Sequence, residues 1–198
     1  MIRPEHCQLV ILDRDGVINA DSDQYIKSAE EWIALPGSPE AIAALSAVGL
    51  PVAVATNQSG IARGYYDEAV LEQMHAKMHG LLAERGGKID YIAYCPHGPQ
   101  DACSCRKPLP GMLNEILQHF NLRPGDCCFI GDSYRDYQAA AALGMPFYLV
   151  KSGKGGRTLL QHPDVFDSDC VYEDLAAFVA AFLQGHSAGG SNSSGTSG

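Results

Sequence analysis

"LVILDRDGVINADSD" runs from Leu9 to Asp23. Its four leading apolar residues suit a strand buried on both faces, and where that run ends stand Asp13 and Asp15, then Gly16. The arrangement recurs twice. Val52-Ala-Val-Ala55 leads into Thr56-Asn57, and Cys127-Cys-Phe-Ile130 leads into Gly131-Asp132-Ser133. Strands are expected at Gln8–Leu12, Pro51–Ala55, Tyr91–Tyr94, Cys127–Ile130 and Pro146–Val150, alternating with helical patterns at Pro39–Val48, Asp67–Arg85, Gly111–Phe120, Tyr134–Leu143 and Tyr172–Leu183. Gly49, Gly86-Gly87 and Gly144 stop three of those helices. Such alternation predicts an α/β fold, a single Rossmann-like domain with a mainly parallel central sheet flanked by helices. Ligands of such sheets gather beyond the carboxyl ends of the strands, so all three polar clusters converge on one edge.

The chain of 198 residues suits one domain, expected over residues 1–186. Residues 187–198, rich in Gly and Ser, read as a flexible tail or a cloning remnant. A formal net charge of −9 argues against nucleic acid or an anionic membrane surface as a general partner, and leaves a small anionic molecule to be held by local cations. No apolar run approaches the ~18 residues of a membrane helix, and Met1–Cys7 lacks the apolar centre of a signal peptide. The expectation is a cytoplasmic protein, and, with no long apolar surface stripe, a monomer. Seven cysteines without an export signal argue against a disulfide framework.

Three carboxylates delivered to one edge would repel each other unless a cation or a function compensates. A calcium loop counted from Asp13 would place Val17, Ile18 and Gln24 where an oxygen ligand, a glycine and a glutamate belong, so that reading fails. A hard divalent cation, Mg²⁺, held by a few carboxylate oxygens with substrate phosphate and water, remains. A strand-end carboxylate can also attack phosphorus, and Asp15 stands where it could protonate the leaving oxygen and then activate water.

"CPHGPQDACSC" gives Cys95-x-His97 and, five residues on, Cys103-x-Cys105. Three thiolates and one imidazole leave no open position, as in a structural tetrahedral Zn²⁺ site, and a zinc-bound loop here would fix the Arg106-Lys107 that comes next. Unconnected thiols are the alternative. His75 and His79 lack the glutamate of a zinc hydrolase and read as helix-surface histidines. "SGKGGRT", Ser152 to Thr158, lacks P-loop spacing and reads as a mobile loop at the sheet edge, either touching substrate or plainly exposed.

Asp13-x-Asp15-Gly16, Thr56, Lys107 and Gly131-Asp132, in that order, resemble the four motifs of the haloacid dehalogenase superfamily of phosphohydrolases. The resemblance implies Asp13 as nucleophile, Asp15 as general acid and base, Thr56 as a phosphate hydrogen-bond donor and Lys107 as the cation on the transferring phosphoryl. It also implies Mg²⁺ on the Asp13 side chain, the Asp15 backbone carbonyl and the Asp132 side chain. Asp136 stands either behind that metal or exposed in the first turn of its helix. The 42 residues between Asp13 and Thr56 and the 50 between Thr56 and Lys107 are claimed by core elements, so no separate cap domain fits. Loops at Val17–Trp32, Gln58–Tyr66 and Cys95–Arg106 must wall the site.

Within the superfamily, the cysteine loop before Arg106-Lys107-Pro108 resembles the heptose 1,7-bisphosphate and histidinol phosphate phosphatases. "TNQSGIARGYY", Thr56 to Tyr66, and "RKPLPGM", Arg106 to Met112, are similar to the heptose enzymes; the short spacer of the cysteine loop is similar to the histidinol enzymes. The resemblance implies a sugar phosphate substrate that loses its C7 phosphate through an aspartyl-phosphate, and a place in the supply of heptose for bacterial surface polysaccharide. Asn57, Ser59, Arg63 and Arg106 are the candidates to touch that substrate, the two arginines at its second phosphate or as solvated surface residues. The alternatives are a histidinol phosphate phosphatase and a non-catalytic zinc-stabilised binding module.

Overall fold

The opening stretch forms β1 (Leu9–Leu12), at the centre of the sheet, in a computed structural model that describes residues 6–188. After it come α1 (Ser38–Ala47), β2 (Val52–Asn57), α2 (Glu68–Ala83), β3 (Tyr91–Cys95), α3 (Gly111–Phe120), β4 (Cys127–Gly131) and α4 (Tyr134–Ala141). β5 (Phe147–Val150), α5 (Gly155–Gln161), β6 (Val171–Tyr172) and α6 (Leu175–Ala188) complete the order. The six strands are all parallel and lie in the order β3-β2-β1-β4-β5-β6. The chain builds outward from β1 to β3 and then returns to lay β4 against β1. That reversal is the topological switch point, and it opens between the ends that carry Asp13 and Asp132.

Alternation along the strands splits the core in two. Val10, Leu12, Val52, Val54 and Ile130 pack with Ile42, Leu45, Met74, Met78 and Phe178, from α1, α2 and α6. Leu9, Ile11, Ala53, Ala55 and Phe129 face the other way, onto Met112, Leu113 and Ile116 of α3 and Ala139 and Ala140 of α4. Each fully buried large side chain stabilises this arrangement by about 1.5–3 kcal/mol, and β1 has no exposed residue. The parallel register sets Leu12 beside both Val54 and Ile130, so the residues just past these strand ends emerge side by side.

Three expectations need correction. Thr56 and Asn57 are the last residues of β2 and not a loop after it. Ser152–Thr158 is no mobile loop: its second half is the start of α5. The last helix starts at Leu175, because Tyr172 pairs in β6 and the Asp174 carboxylate caps the helix by accepting from the Ala177 N–H at 2.8 Å. α6 runs to Ala188, two residues into the stretch read as a tail, and residues 189–198 lie outside the described residues. No helix among the described residues is long and apolar enough to cross a membrane.

Candidate active site

Lys107 is the hub. Its ammonium, buried under the sheet edge, donates to Asp13 Oδ1 at 2.9 Å, Asp136 Oδ1 at 2.6 Å and the Ala55 carbonyl at 2.8 Å, and rests 5.4 Å from the Phe129 ring centre. Burial alone would push the Lys107 ammonium down, but the two carboxylates hold it well above the ordinary lysine value. Asn57 clamps the same residue, its amide donating to the Lys107 carbonyl at 3.0 Å and accepting from the Lys107 N–H at 3.1 Å. Expected among substrate contacts, Asn57 instead spends its side-chain amide on holding Lys107 in place.

Asp13 comes directly after β1, its N–H donating to the Ile130 carbonyl at 2.9 Å. Burial pushes its carboxyl up to about 7 against the pull of Lys107, with Asp136 and Asp15 adding like charge. Asp132 is raised well above the carboxylate range by burial, then by Asp136 and Asp13. Asp136 is fully buried and caps α4, accepting from the Ser133 N–H at 3.0 Å and the Ser133 hydroxyl at 2.6 Å. The exposed alternative for Asp136 is therefore overturned. One carboxylate oxygen from each of Asp13, Asp132 and Asp136 lies within 4.8 Å of the others. Such a buried, oxygen-only donor set, short of positive charge, fits a hard divalent cation.

The turn after β5 and the start of α5 brace this centre. The Lys154 N–H donates to Asp132 Oδ2 at 2.7 Å, the Thr158 hydroxyl to the Asp132 carbonyl at 2.9 Å, and the Ser152 hydroxyl to the Gly16 carbonyl at 2.7 Å. Gly16, at φ +88°, faces Asp132 so closely that a Cβ there would collide with the carboxylate. That approach, and not only the turn, requires glycine.

Asp15 has the opposite environment from Asp13. Arg14, itself buried, donates to both its carboxylate oxygens at 3.0 Å, Asn19 donates at 2.8 Å and Gln58 at 3.0 Å. Burial opposes ionisation, yet the Arg14 guanidinium and these hydrogen bonds hold the carboxyl below its ordinary value. Gln58 also donates to Thr56 Oγ1 at 2.7 Å and accepts from Tyr66 at 2.6 Å, tying its own loop to the end of β2 and to Asp15. The sequence reading left out Asn19, Gln58 and Tyr66; the polar Gln58 directly after a buried strand was the available signal.

These residues line a pocket of about 570 Å³. Ser59, Arg106 and Thr56 border it, as do Asp21, Tyr25 and Tyr66 from the expected walls, Lys154 and Arg157 from the segment read as either touching substrate or exposed, and Arg135 from α4, which was not expected to form a wall. Arg63 does not border it: its guanidinium sits 5.6 Å over the Tyr25 ring, exposed. His75 is half-buried beside the Tyr94 ring, not simply on the helix surface, and burial pulls its imidazole down to about 4.

Cys95, His97, Cys103 and Cys105 also converge. Cys95 Sγ lies 3.1 Å from Cys105 Sγ and 3.9 Å from Cys103 Sγ, while His97 Nδ1 lies 3.2 Å from Cys105 Sγ. Thiolates on a tetrahedral zinc at ~2.3 Å would be separated by about 3.8 Å, so this set of three thiolates and one imidazole fits such an ion. Cys95 ends β3, and the loop then returns to present Arg106 and Lys107.

The model of a family described as HAD-hydrolase-like matches residues 104–178. A Pseudomonas aeruginosa protein named D-glycero-beta-D-manno-heptose-1,7-bisphosphate 7-phosphatase is 56% identical over 176 residues, spanning 89% of this chain and 98% of the relative. The chain belongs to this family of haloacid dehalogenase-like phosphatases. Among family members, the crystal structure of D,D-heptose 1,7-bisphosphate phosphatase from B. bronchiseptica, complexed with magnesium and phosphate, superposes with a TM-score of 0.85 at 50% identity, covering 89% of this chain and 98% of that one. The corresponding enzyme of Burkholderia thailandensis gives a TM-score of 0.69 at 44% identity, with the same coverage.

Proposed function

We propose that this chain hydrolyses the C7 phosphate of D-glycero-β-D-manno-heptose 1,7-bisphosphate, releasing heptose 1-phosphate and inorganic phosphate. The observation that carries a phosphoryl-transfer reading is the Lys107 ammonium gripping Asp13 and Asp136 together at the switch point. The named relatives support the choice of sugar and anomer. An uncharged Ser59 on the pocket wall supports a substrate without a cationic amine.

Asp13 attacks phosphorus as the bond from phosphorus to the C7 oxygen breaks, and Asp15 passes a proton to that leaving oxygen. The resulting aspartyl-phosphate is opened by a water that yields its proton to Asp15, which frees Asp13 and phosphate. Arg14 keeps Asp15 ionised at rest, so the proton it first donates is taken from solvent as the anionic substrate enters, and the one it gains from the attacking water returns to solvent at the end. Thr56 Oγ1 accepts from Gln58, which leaves its own hydrogen for a phosphate oxygen. Mg²⁺, held by the side chains of Asp13 and Asp132 with the Asp15 carbonyl, would supply charge neutralisation on the phosphoryl oxygens. Zn²⁺ on Cys95, His97, Cys103 and Cys105 would hold the loop that carries Lys107. The enzyme works as a cytoplasmic monomer that supplies heptose for surface polysaccharide.

The test is kcat/KM with Mg²⁺ for both bisphosphate anomers and histidinol phosphate, side by side. The β anomer should exceed histidinol phosphate by ~100-fold or more, about 2.7 kcal/mol in transition-state binding. A preference for histidinol phosphate would overturn the substrate, and equal use of the α anomer would remove the anomeric assignment.

A further inference from the structure

Lys154 reaches in two directions. Its backbone N–H donates to Asp132 Oδ2 at 2.7 Å, and its ammonium pairs with Asp21 at 2.5 Å. Asp132 is one of the carboxylates given above to Mg²⁺, whereas Asp21 belongs to the pocket wall formed by residues 17–32, and both border the cavity. One residue therefore connects the wall to the metal-binding carboxylate.

The surroundings leave that connection little slack. Gly153, at φ +56°, sits so close to Gly16 and Asp132 that a Cβ there would collide with both. The Ser152 hydroxyl fastens the root of the wall by donating to the Gly16 carbonyl at 2.7 Å, and Lys154 fastens it again at Asp21. The Asp21 side chain is only 14% exposed, so this pair is shielded from solvent on one side and is stronger than an ordinary surface pair. Arg157 and Asp23 repeat the link at 3.6 Å, but with side chains 54% and 77% exposed they contribute little. A lone ammonium beside a cation site would weaken that site. Asp21 cancels the charge and turns Lys154 into a fastener.

We propose that Lys154 is a positioning residue for the metal centre: its ion pair with Asp21 ties the pocket wall to Asp132 and so holds that carboxylate where Mg²⁺ binds. The inference rests on the Mg²⁺ reading given above and adds to it a residue at the start of α5 and its partner on the wall.

The experiment measures Mg²⁺ binding by titration calorimetry, without substrate, in the wild-type protein, Asp21→Asn, Lys154→Met and Lys154→Arg. The two neutral variants separate geometry from charge. Asp21→Asn removes a negative charge near the site and Lys154→Met a positive one, so electrostatics alone would weaken Mg²⁺ binding in the first and tighten it in the second. If the ion pair positions Asp132, the dissociation constant rises in both, by about 10-fold, the lower end of what losing a ligand's supporting partner costs. Lys154→Arg keeps the pair and should bind Mg²⁺ as the wild type does. Both side chains have some access to solvent, so melting curves near wild type should accompany these changes. Opposite shifts in the two neutral variants, no shift in either, or an Arg variant as weak as the Met variant overturns the positioning role while the Mg²⁺ reading stands. A wild-type protein that binds no Mg²⁺, or binds it no better than Asp132→Asn does, overturns that reading and the inference with it.

Discussion

The oxygen cluster beneath Lys107 and the sulfur cluster on the loop just before it in the chain meet the same electrostatic problem with different means. Asp13, Asp132 and Asp136 come from the ends of β1 and β4 and the first turn of α4, elements fixed by a fully buried core. Their repulsion is partly met by the protein's own Lys107, so the centre is formed by the fold. Of the four residues in the second cluster Cys95 alone lies in a strand; His97, Cys103 and Cys105 hang on an irregular loop whose donor atoms face mainly each other. A site built on strands is prepared before its ion arrives, whereas a site built on a loop needs the ion to become a site.

Removing the hub should have the largest effect. Lys107→Met keeps much of the side-chain volume but leaves Asp13 and Asp136 facing each other without a cation, so kcat should fall by about 10³-fold or more. Asp13→Asn should be at least as severe, with the fold intact. Near-normal turnover in either variant, measured with saturating Mg²⁺, would mean that the strand-built centre is not where phosphorus reacts.

The ions should separate the two clusters next. Purified protein should contain close to one equivalent of zinc, lost in Cys103→Ser together with several degrees of melting temperature and most of the activity, because Lys107 loses its anchor. Withholding Mg²⁺ should stop turnover with far less effect on melting. If loss of zinc left melting and activity unchanged, the loop would be self-supporting and the contrast would fail.

A third effect is smaller and depends on pH. Folded Asp13 holds its proton up to about pH 7, whereas an unfolded carboxylate releases it near 3.8. Between those values the folded state binds more protons, so the stability of Mg²⁺-free protein should fall as pH rises through this window. Melting temperatures between about pH 5 and pH 8 would show the slope, and Asp13→Asn should reduce it, the raised Asp132 supplying the remainder. An increase of stability with pH over this range would overturn the assignment, because Asp15, held below its ordinary value, is ionised in both states there and changes stability only at lower pH.

Much of this was legible because strand patterning and metal donors are local in sequence. The run Leu9–Leu12 declared a buried strand, and the positions of Asp13, Asp15 and Asp132 could be read from where strands end. β6 escaped because two paired residues make no pattern, and α5 because it begins with Gly155-Gly156, poor helix formers that read as a loop. Arg63 was assigned to the pocket from its loop alone; which way a loop side chain points is decided by a distant partner, here the Tyr25 ring. Asp136 stayed ambiguous for a related reason, since an acid in a first helical turn is common whether or not a lysine from another loop reaches it. Lys107 does reach it, and only the packed sheet edge reveals so.

The smallest expected effect concerns the network that sequence did not reveal. Tyr66 donates to Gln58 Oε1 at 2.6 Å, and Gln58 in turn donates to Asp15 and Thr56 and accepts from Arg14 at 3.1 Å. Tyr66→Phe removes one hydroxyl at the edge of this chain of bonds and leaves the ring in place. A single neutral hydrogen bond contributes about 0.5–1.5 kcal/mol, so a loosened Asp15 should cost roughly 3- to 10-fold in kcat. KM should change little if Tyr66 acts through Gln58 on Asp15, and should rise if the hydroxyl touches substrate directly, since it also borders the pocket. No change in either would show that Arg14 and Asn19 hold Asp15 without help, which would make the strand-built centre still more independent of the loops that surround it.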